Sequence, residues 1–257
     1  MSYAEQFVAL MTLLRKEIRR FLRIWPQTLL PSAITMSLYF VIFGSLIGAR
    51  IGEMGGFDYM EFVVPGLIMM AIVTNSYANV VSSFFGSKFN HSIEELLVSP
   101  TPNYIILFGF ILGGITRGLL VAFIVTCVSM FFTRLPIYSI GIVIGVVIFT
   151  STLFALAGFI NGVFANNFDD ISIVPTFVLT PLTYLGGVFY SLDMLSDFWA
   201  GVSQLNPLVY VVNAFRYGVL GVSDVSVGFA FMMIAGFTVI AFLYSLHLLN
   251  SGKRLRQ

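Results

Sequence analysis

"ISIVPTFVLTPLTYLGGVFYSL", Ile171–Leu192, carries no charge over 22 residues, with Asp169 and Asp170 before it and Asp193 after it. That is the length and polarity of a membrane crossing, for which about 20 apolar residues cover ~30 Å of hydrocarbon. Yet it contains Pro175, Pro181, Gly186 and Gly187, residues that end or bend helices in water. Inside a bilayer they are tolerated where neighbouring groups satisfy the freed backbone. The segment is therefore expected to be a bent span, turned toward protein or a water-filled path. Pro175 and Pro181 would kink it, and Gly186 and Gly187 would allow close packing or a bend near one end.

The rest of the chain supports a membrane reading. Of 257 residues, 58% are hydrophobic and 10% charged, against about 25% charged in soluble domains. Mean hydropathy is +0.95. Too little polar surface exists to cover a water-soluble globule. A net charge of +1 provides no field for nucleic acid. The single cysteine, Cys127, lies in an apolar run and excludes an intrachain disulfide. The first long apolar run begins only at Ile24, so no cleavable leader is expected.

Uncharged runs place spans at about 25–48, 62–85, 137–164, 171–192 and 226–249, and the run 104–132 is broken only by Arg117. A further candidate, Phe198–Phe215, is interrupted by Asn206 and Pro207. Charge bias decides against it. With six spans, Arg15, Lys16, Arg19, Arg20, Arg23, Lys88, Lys253, Arg254 and Arg256 are cytoplasmic, against Arg50, Arg134 and Arg216 outside. The expectation is an all-α polytopic membrane protein, one domain over 1–257. It has six transmembrane helices, both termini in the cytoplasm, and a short external re-entrant element containing Asn206, Pro207 and Arg216. Trp25 and Trp199 fall at predicted interfaces.

Before the first span, 5–23 reads as a basic amphipathic helix. Phe7, Met11, Leu14, Ile18, Phe21 and Trp25 recur at steps of three and four, and the basic residues fall off that stripe. Such a helix suits the surface of an anionic leaflet, making membrane lipids partners.

Catalytic signals are missing. No Gly-rich loop ends in Gly-Lys-Ser/Thr, His91 and His247 are isolated, and no nucleophile elbow occurs. No catalytic, cofactor or metal residue is assigned, and the chain is read as not an enzyme. Arg117 stands near the middle of its span, where an arginine costs about 2.5–3.5 kcal/mol on insertion scales. Either it lines an inter-helix pathway or pairs across an interface, or the span is shifted so that it lies nearer the surface. In the loop after the second span, Ser92-Ile93-Glu94-Glu95 fits a capping box with Glu95 reaching back to the Ser92 amide, and Pro100 and Pro102 stop the helix. A helix of about two turns is expected there, including Leu96 and Leu97. The pairs Gly109/Gly113, Gly114/Gly118, Gly141/Gly145 and Gly158/Gly162 permit close helix approach.

"PTFVLTPLTYLGGVFYSLDML" followed by "LNPLVYVVNAFRYG" resembles the C-terminal signature of ABC-2 type transporter permeases, and "SIEELLVSPTP" resembles that family's coupling segment. The resemblance covers essentially the whole chain. It implies the permease subunit of an inner-membrane exporter, with two permease copies and two separate ATPase subunits. ATP and magnesium would bind to those partners, not here. Ser92 through Val98 would contact the ATPase, with Glu94 and Glu95 as polar handles. The "LNPLVYVVNAFRYG" region, 205–218, would form short external helices that dip back from the outer face and close the exit.

Two other classes compete. A secondary transporter usually carries acids within its spans, but all twelve acids lie outside these six. A membrane scaffold that transports nothing would show no substrate-dependent stimulation of a bound ATPase.

Overall fold

The computed structural model describes residues 1–252, so Lys253, Arg254 and Arg256 of the charge count lie outside the described residues. The chain forms α1 (Tyr3–Arg23), α2 (Trp25–Thr28) and α3 (Leu30–Val41), then a wide π turn (Ile42–Gly48) and α4 (Ala49–Ile51). A two-stranded antiparallel hairpin follows, β1 (Glu53–Met54) and β2 (Phe57–Asp58), turning through Gly55 and Gly56 at φ +62° and +81°. The sequence reading contains no such hairpin. Next come α5 (Tyr59–Phe89), α6 (Ser92–Val98), α7 (Asn103–Ser129), α8 (Ile140–Phe164), α9 (Asp170–Val174) and α10 (Thr180–Tyr184), the last two joined by a π turn (Pro175–Leu179). The described chain closes with α11 (Asp197–Gln204), α12 (Pro207–Leu220) and α13 (Val227–Ser251).

Among the described residues, five helices are long and apolar enough to cross a membrane: Trp25–Gly48, Tyr59–Phe89, Asn103–Ser129, Ile140–Phe164 and Val227–Ser251. Each matches an expected span. The stretch 171–192 does not form one helix of spanning length. It is helical from Asp170 only to Tyr184, with the π turn inside it. The cause is local. Proline removes an N–H from the ladder, and the widened turn from Pro175 to Leu179 lies between the two prolines. The Thr180 hydroxyl then donates to the Pro175 carbonyl at 2.9 Å. Beyond Tyr184 the chain turns through Gly187 in the left-handed region, φ +71°.

Even so, this segment runs the full length of α5. At one end Phe168 packs on Phe85 and Phe89. At the other, the Tyr59 hydroxyl donates to the Phe189 carbonyl at 3.2 Å. The two ends of the bundle are thus defined, one carrying α6 and the other the β-hairpin.

Helix α5 is the central post, packed by α7, α8, α12 and α3. Glycine allows the close approaches. A Cβ at Gly158 would lie 2.5 Å from the Tyr77 carbonyl oxygen, and one at Gly114 would meet Val80 and Ala155 at 2.8 and 2.9 Å. Gly109 and Gly113 seat α1, where added Cβ atoms would each fall 2.7 Å from the Cβ of Leu13 and Glu17. Of the four glycine pairs, only Gly141/Gly145 makes no such contact: Gly141 faces open space and Gly145 meets only Phe231, at 3.7 Å.

Helix α1 extends from its own capping box, in which Ser2 and Glu5 bond reciprocally. It carries three faces. Leu13, Glu17 and Phe21 are buried against the bundle. The predicted stripe overlaps that face: Phe21 is fully buried, Met11, Leu14 and Ile18 are half-buried, and only Phe7 and Trp25 at its ends are exposed, at 62% and 54%. Arg15, Lys16, Arg19 and Arg23 form the third, exposed face. Only the exposed part of the stripe is available to lipid, and the protein contact, which shares Phe21 with it, is centred a little under one residue step away round the helix.

Replacing Gly113 with Val is expected to unseat α1 and destabilise the protein by about 1–3 kcal/mol, whereas Gly141→Ala is expected to be neutral. Thermal unfolding of both variants in detergent, followed by tryptophan fluorescence, checks this difference; equal melting temperatures would contradict the seating of α1 on Gly113.

Candidate functional site

Three features define the candidate site: a groove along α5, the short helix α6, and the corner built by α11 and α12 at the opposite end.

Between Phe62 and Lys88, helix α5 is buried all round except for Met70, Thr74, Ala78, Ser82 and Gly86. These repeat every four residues and form one line along the helix. Against its upper part lies a groove of about 250 Å³ shared with the broken segment, whose walls include Tyr77, Pro175, Thr176, Thr180 and Tyr184. The hydroxyls there are largely occupied. Thr74 donates to the Met70 carbonyl at 2.9 Å, Thr183 to Leu179 at 2.7 Å, and Tyr77 accepts from Asn161 at 2.7 Å. The groove therefore presents methyl groups and ring faces more than free polar atoms. Pro175 lines it, whereas Pro181 is exposed and does not.

Helix α6 spans the predicted seven residues, Ser92–Val98. Its start differs from the expected capping box. His91, at φ +56°, occupies the cap position, and no side chain caps the helix. Ser92 instead donates to the Ser87 carbonyl at 3.2 Å, and Glu94 pairs with the His91 ring at 3.3 Å. The tight left-handed turn after α5 places Ser92 inside the first helical turn, so Glu95 has no cap to reach. Ile93 is fully buried, Leu96 and Leu97 are half-buried against the same core, and Glu95 and Val98 project outward. Nearby, the Asn166 N–H donates to the Asp170 carboxylate at 2.8 Å.

At the other end, Arg216 is fully buried. Its Nη2 donates to the Gly187 carbonyl at 2.6 Å, its Nε to the Phe62 carbonyl at 3.3 Å, and its guanidinium lies 3.8 Å above the Phe62 ring. The charge count assigned it a side of the membrane but not this depth. Lys88 is likewise buried, donating to the Val163 and Ala165 carbonyls at 2.9 and 2.8 Å at the end of α8. Gly186 packs where an added Cβ would meet the Leu208 Cβ at 3.0 Å. The break at Asn206-Pro207 separates α11 from α12, as the sequence suggested. The Asn206 oxygen caps α12 by accepting from the Leu208 N–H at 2.9 Å, and its amide donates to the Leu182 carbonyl at 2.6 Å. Asp224 accepts from the Ser191 hydroxyl and the Leu192 N–H, both at 2.9 Å, so the segment carrying α11 and α12 leaves and returns at one place.

Arg117 does not reach the groove. It is buried between α7, α5 and the α2 turn, donating to the Thr28 carbonyl at 2.9 Å and to Asn75 at 2.8 Å. The junction between α1 and α3 thus supplies its partner, which answers the cost of burying a cation.

The sequence reading missed Glu17 and Arg20. Glu17 is buried on α1, accepting from Ser83 at 2.7 Å and pairing with Arg20 at 3.3 Å. Arg20 then donates to the Asn79 carbonyl and side chain at 2.8 and 2.9 Å. A usable signal existed: an acid in line with Leu13 and Phe21 at steps of four, on an otherwise basic helix. The α5 line carried no such signal: Met70 is large and apolar, and the buried Asn75, Ser76, Asn79, Ser83 and Ser87 are as small or polar as the exposed Thr74, Ala78 and Ser82.

With this geometry in view, the comparisons with known proteins define the class. Residues 8–220 match the family model of the ABC-2 type transporter, and the chain belongs to this family. It is 56% identical over 250 residues to the inner membrane transport permease YadH of Escherichia coli strain K12, covering 97% of this chain and 98% of that protein. It is also 22% identical over 246 residues to nodulation protein J of Neorhizobium galegae, covering 95% and 92% of the two chains.

Arg216→Gln is expected to leave the Gly187 and Phe62 carbonyls poorly partnered, costing about 1.5–3 kcal/mol. The exposed Arg50→Gln should change stability by less than about 0.5 kcal/mol. Thermal unfolding of the two variants side by side measures the contrast.

Proposed function

We propose that this chain is the membrane-spanning subunit of an ATP-binding cassette exporter, acting in the bacterial inner membrane as a pair. Two copies of a separate ATPase drive the pair and hold the ATP and magnesium. The observation that carries this reading is α6: Ile93 anchors it in the core while Glu95 and Val98 project from the end of the bundle. A two-turn helix held by one buried side chain and linked directly to α5 and α7 suits a lever that a partner pushes. Family membership and the transport permease name of a 56% identical relative support it.

In this reading six segments cross the membrane. The broken run 170–189 is the fifth, since it accompanies α5 from end to end. Both termini and α6 are then cytoplasmic, and α11 and α12 form the external re-entrant element. The working cycle alternates between states that differ in the separation of the two copies. Movement of α6 reaches α5 and α7, and the pathway runs along the exposed line of α5 and the segment around Pro175. The widened turn there is the natural place for that wall to flex.

The chain is expected to co-purify with an ABC-type ATPase, and Glu94→Lys/Glu95→Lys is expected to weaken that complex; an undiminished pull-down would remove α6 from the contact. In a Cys127→Ser background, cysteines at Thr176 and Thr180 should react with charged thiol reagents, and cysteines at Ile173 and Phe177 should not. Uniform inertness along the segment would exclude it from the pathway.

A further inference from the structure

Lys88, in the last turn of α5, is only 3% exposed, and its main chain and side chain serve different segments. The Lys88 carbonyl accepts from the His91 N–H at 3.0 Å, within the left-handed turn that leads into α6. A second bond fixes the same corner, from the Ser92 hydroxyl to the Ser87 carbonyl at 3.2 Å. The Lys88 ammonium points the other way. It donates to the Val163 and Ala165 carbonyls at 2.9 and 2.8 Å, holding the end of α8 and the first residue of the loop that follows.

That loop leads straight into the broken segment, and it is fastened to α5 and to itself. Phe168 packs edge-on against Phe85, with ring centres 4.9 Å apart, and lies 5.0 Å from Phe89. The Asn166 N–H donates to the Asp170 carboxylate at 2.8 Å, and the Asp170 N–H donates to the Asn167 side-chain oxygen at 2.9 Å. The Asn161 amide donates to the Tyr77 hydroxyl at 2.7 Å and to the Ile171 carbonyl at 3.3 Å. Beyond α9 the helical ladder widens into the π turn at Pro175–Leu179, where Pro175 lines the groove. A displacement applied to a well-bonded arm is taken up where its own hydrogen bonding is weakest.

We propose that Lys88 is a positioning residue that couples α6 to the broken segment. It makes the α5–α6 corner and the loop at 165–171 one body, so that motion of α6 is delivered to the groove wall at Pro175. This route is additional to the one that runs along α5 and α7. A lysine suits the role because its aliphatic stem packs in the bundle while its charged head makes two charge-assisted bonds from one side chain. The proposal rests on the exporter reading only in taking α6 as the end that a partner pushes; the link itself lies within one chain.

Hydrogen exchange of the full chain in detergent, read by mass spectrometry, tests the link without an ATPase. Ile93→Ala loosens α6, because Ile93 is fully buried in one cluster with Ile106 and Leu107 of α7. With Lys88 present, this substitution is expected to speed exchange over 176–184 at least about fivefold. In a Lys88→Met background it is expected to leave 176–184 within about twofold of Lys88→Met alone. Exchange over 105–110 of α7 should still rise in that background, which shows that α6 has been loosened in a folded bundle. Lys88→Arg keeps the charge and can reach both carbonyls, so it is expected to restore the response at 176–184. Leu96→Ala trims a half-buried side chain of the same helix and is expected to give the same pattern if Ile93→Ala does not fold. A purely structural lysine gives a different result: Lys88→Met alone speeds exchange over 176–184, and the effect of Ile93→Ala adds to it undiminished. That outcome would overturn the proposal, as would silence at 176–184 with Lys88 present or no recovery in Lys88→Arg. A failed pull-down of the ATPase with this exchange pattern intact would count against the exporter reading and leave the link standing.

Discussion

Helix α5 can be packed on almost every side only because its neighbours present glycine where they cross it. Lipid offers no hydrophobic penalty to drive helices together, so association depends on close contact and on polar groups that find partners inside the protein. Gly114 and Gly158 let α7 and α8 approach the α5 backbone and side chains, and Gly66 on α5 itself meets the Val188 backbone, where an added Cβ would lie 2.7 Å from the carbonyl oxygen. The rest of the fold follows from this post. Because α5 is closed on its other faces, its one open edge is where a groove can form.

Charge placement obeys the same economy. Lys88 and Arg216 are buried: Lys88 is answered by the carbonyls that end α8, and Arg216 by the Gly187 carbonyl at its turn and the Phe62 carbonyl within α5, with the Asp224 carboxylate near enough to favour its charge. Arg117 likewise takes the Thr28 carbonyl together with Asn75. Carbonyl oxygens left free where helices end or turn need donors when water is scarce. A long cation can satisfy two of them from one side chain, and in doing so it joins segments far apart in sequence. Glu17 works from the opposite sign, drawing Arg20 and Ser83 together so that α1 is fastened to α5.

Much of this architecture was legible in the residues. Four span positions follow from charge-free length and a fifth from a run broken only by Arg117, and the break at Asn206-Pro207 follows from the residues themselves. What the sequence hid are matters of rotation and depth. The α1 stripe has helical spacing whether it faces lipid or protein, and only the seat on Gly109 and Gly113 shows which face docks. Placing Lys88 on the cytoplasmic side and Arg216 outside said nothing of depth, and both are buried against main-chain carbonyls. The Ser92 capping box failed because His91 adopts a left-handed turn that moves the helix start by one residue. The run 171–192 shows the limit of composition: it has the length and polarity of a span, but its prolines widen the turn and its glycines end the helix early.

The contact between Arg216 and Gly187 has a consequence for the order of assembly. The Gly187 carbonyl receives its partner from a residue synthesised 29 positions later, and Lys88 waits 75 and 77 positions for the carbonyls it caps. The broken segment has neither an uninterrupted helix nor a complete set of local hydrogen bonds with which to stand alone in lipid. It must be held in a polar or protein-lined environment until α12 has been made. The corner beside the β-hairpin is therefore finished late, by the tail of the polypeptide closing over its middle.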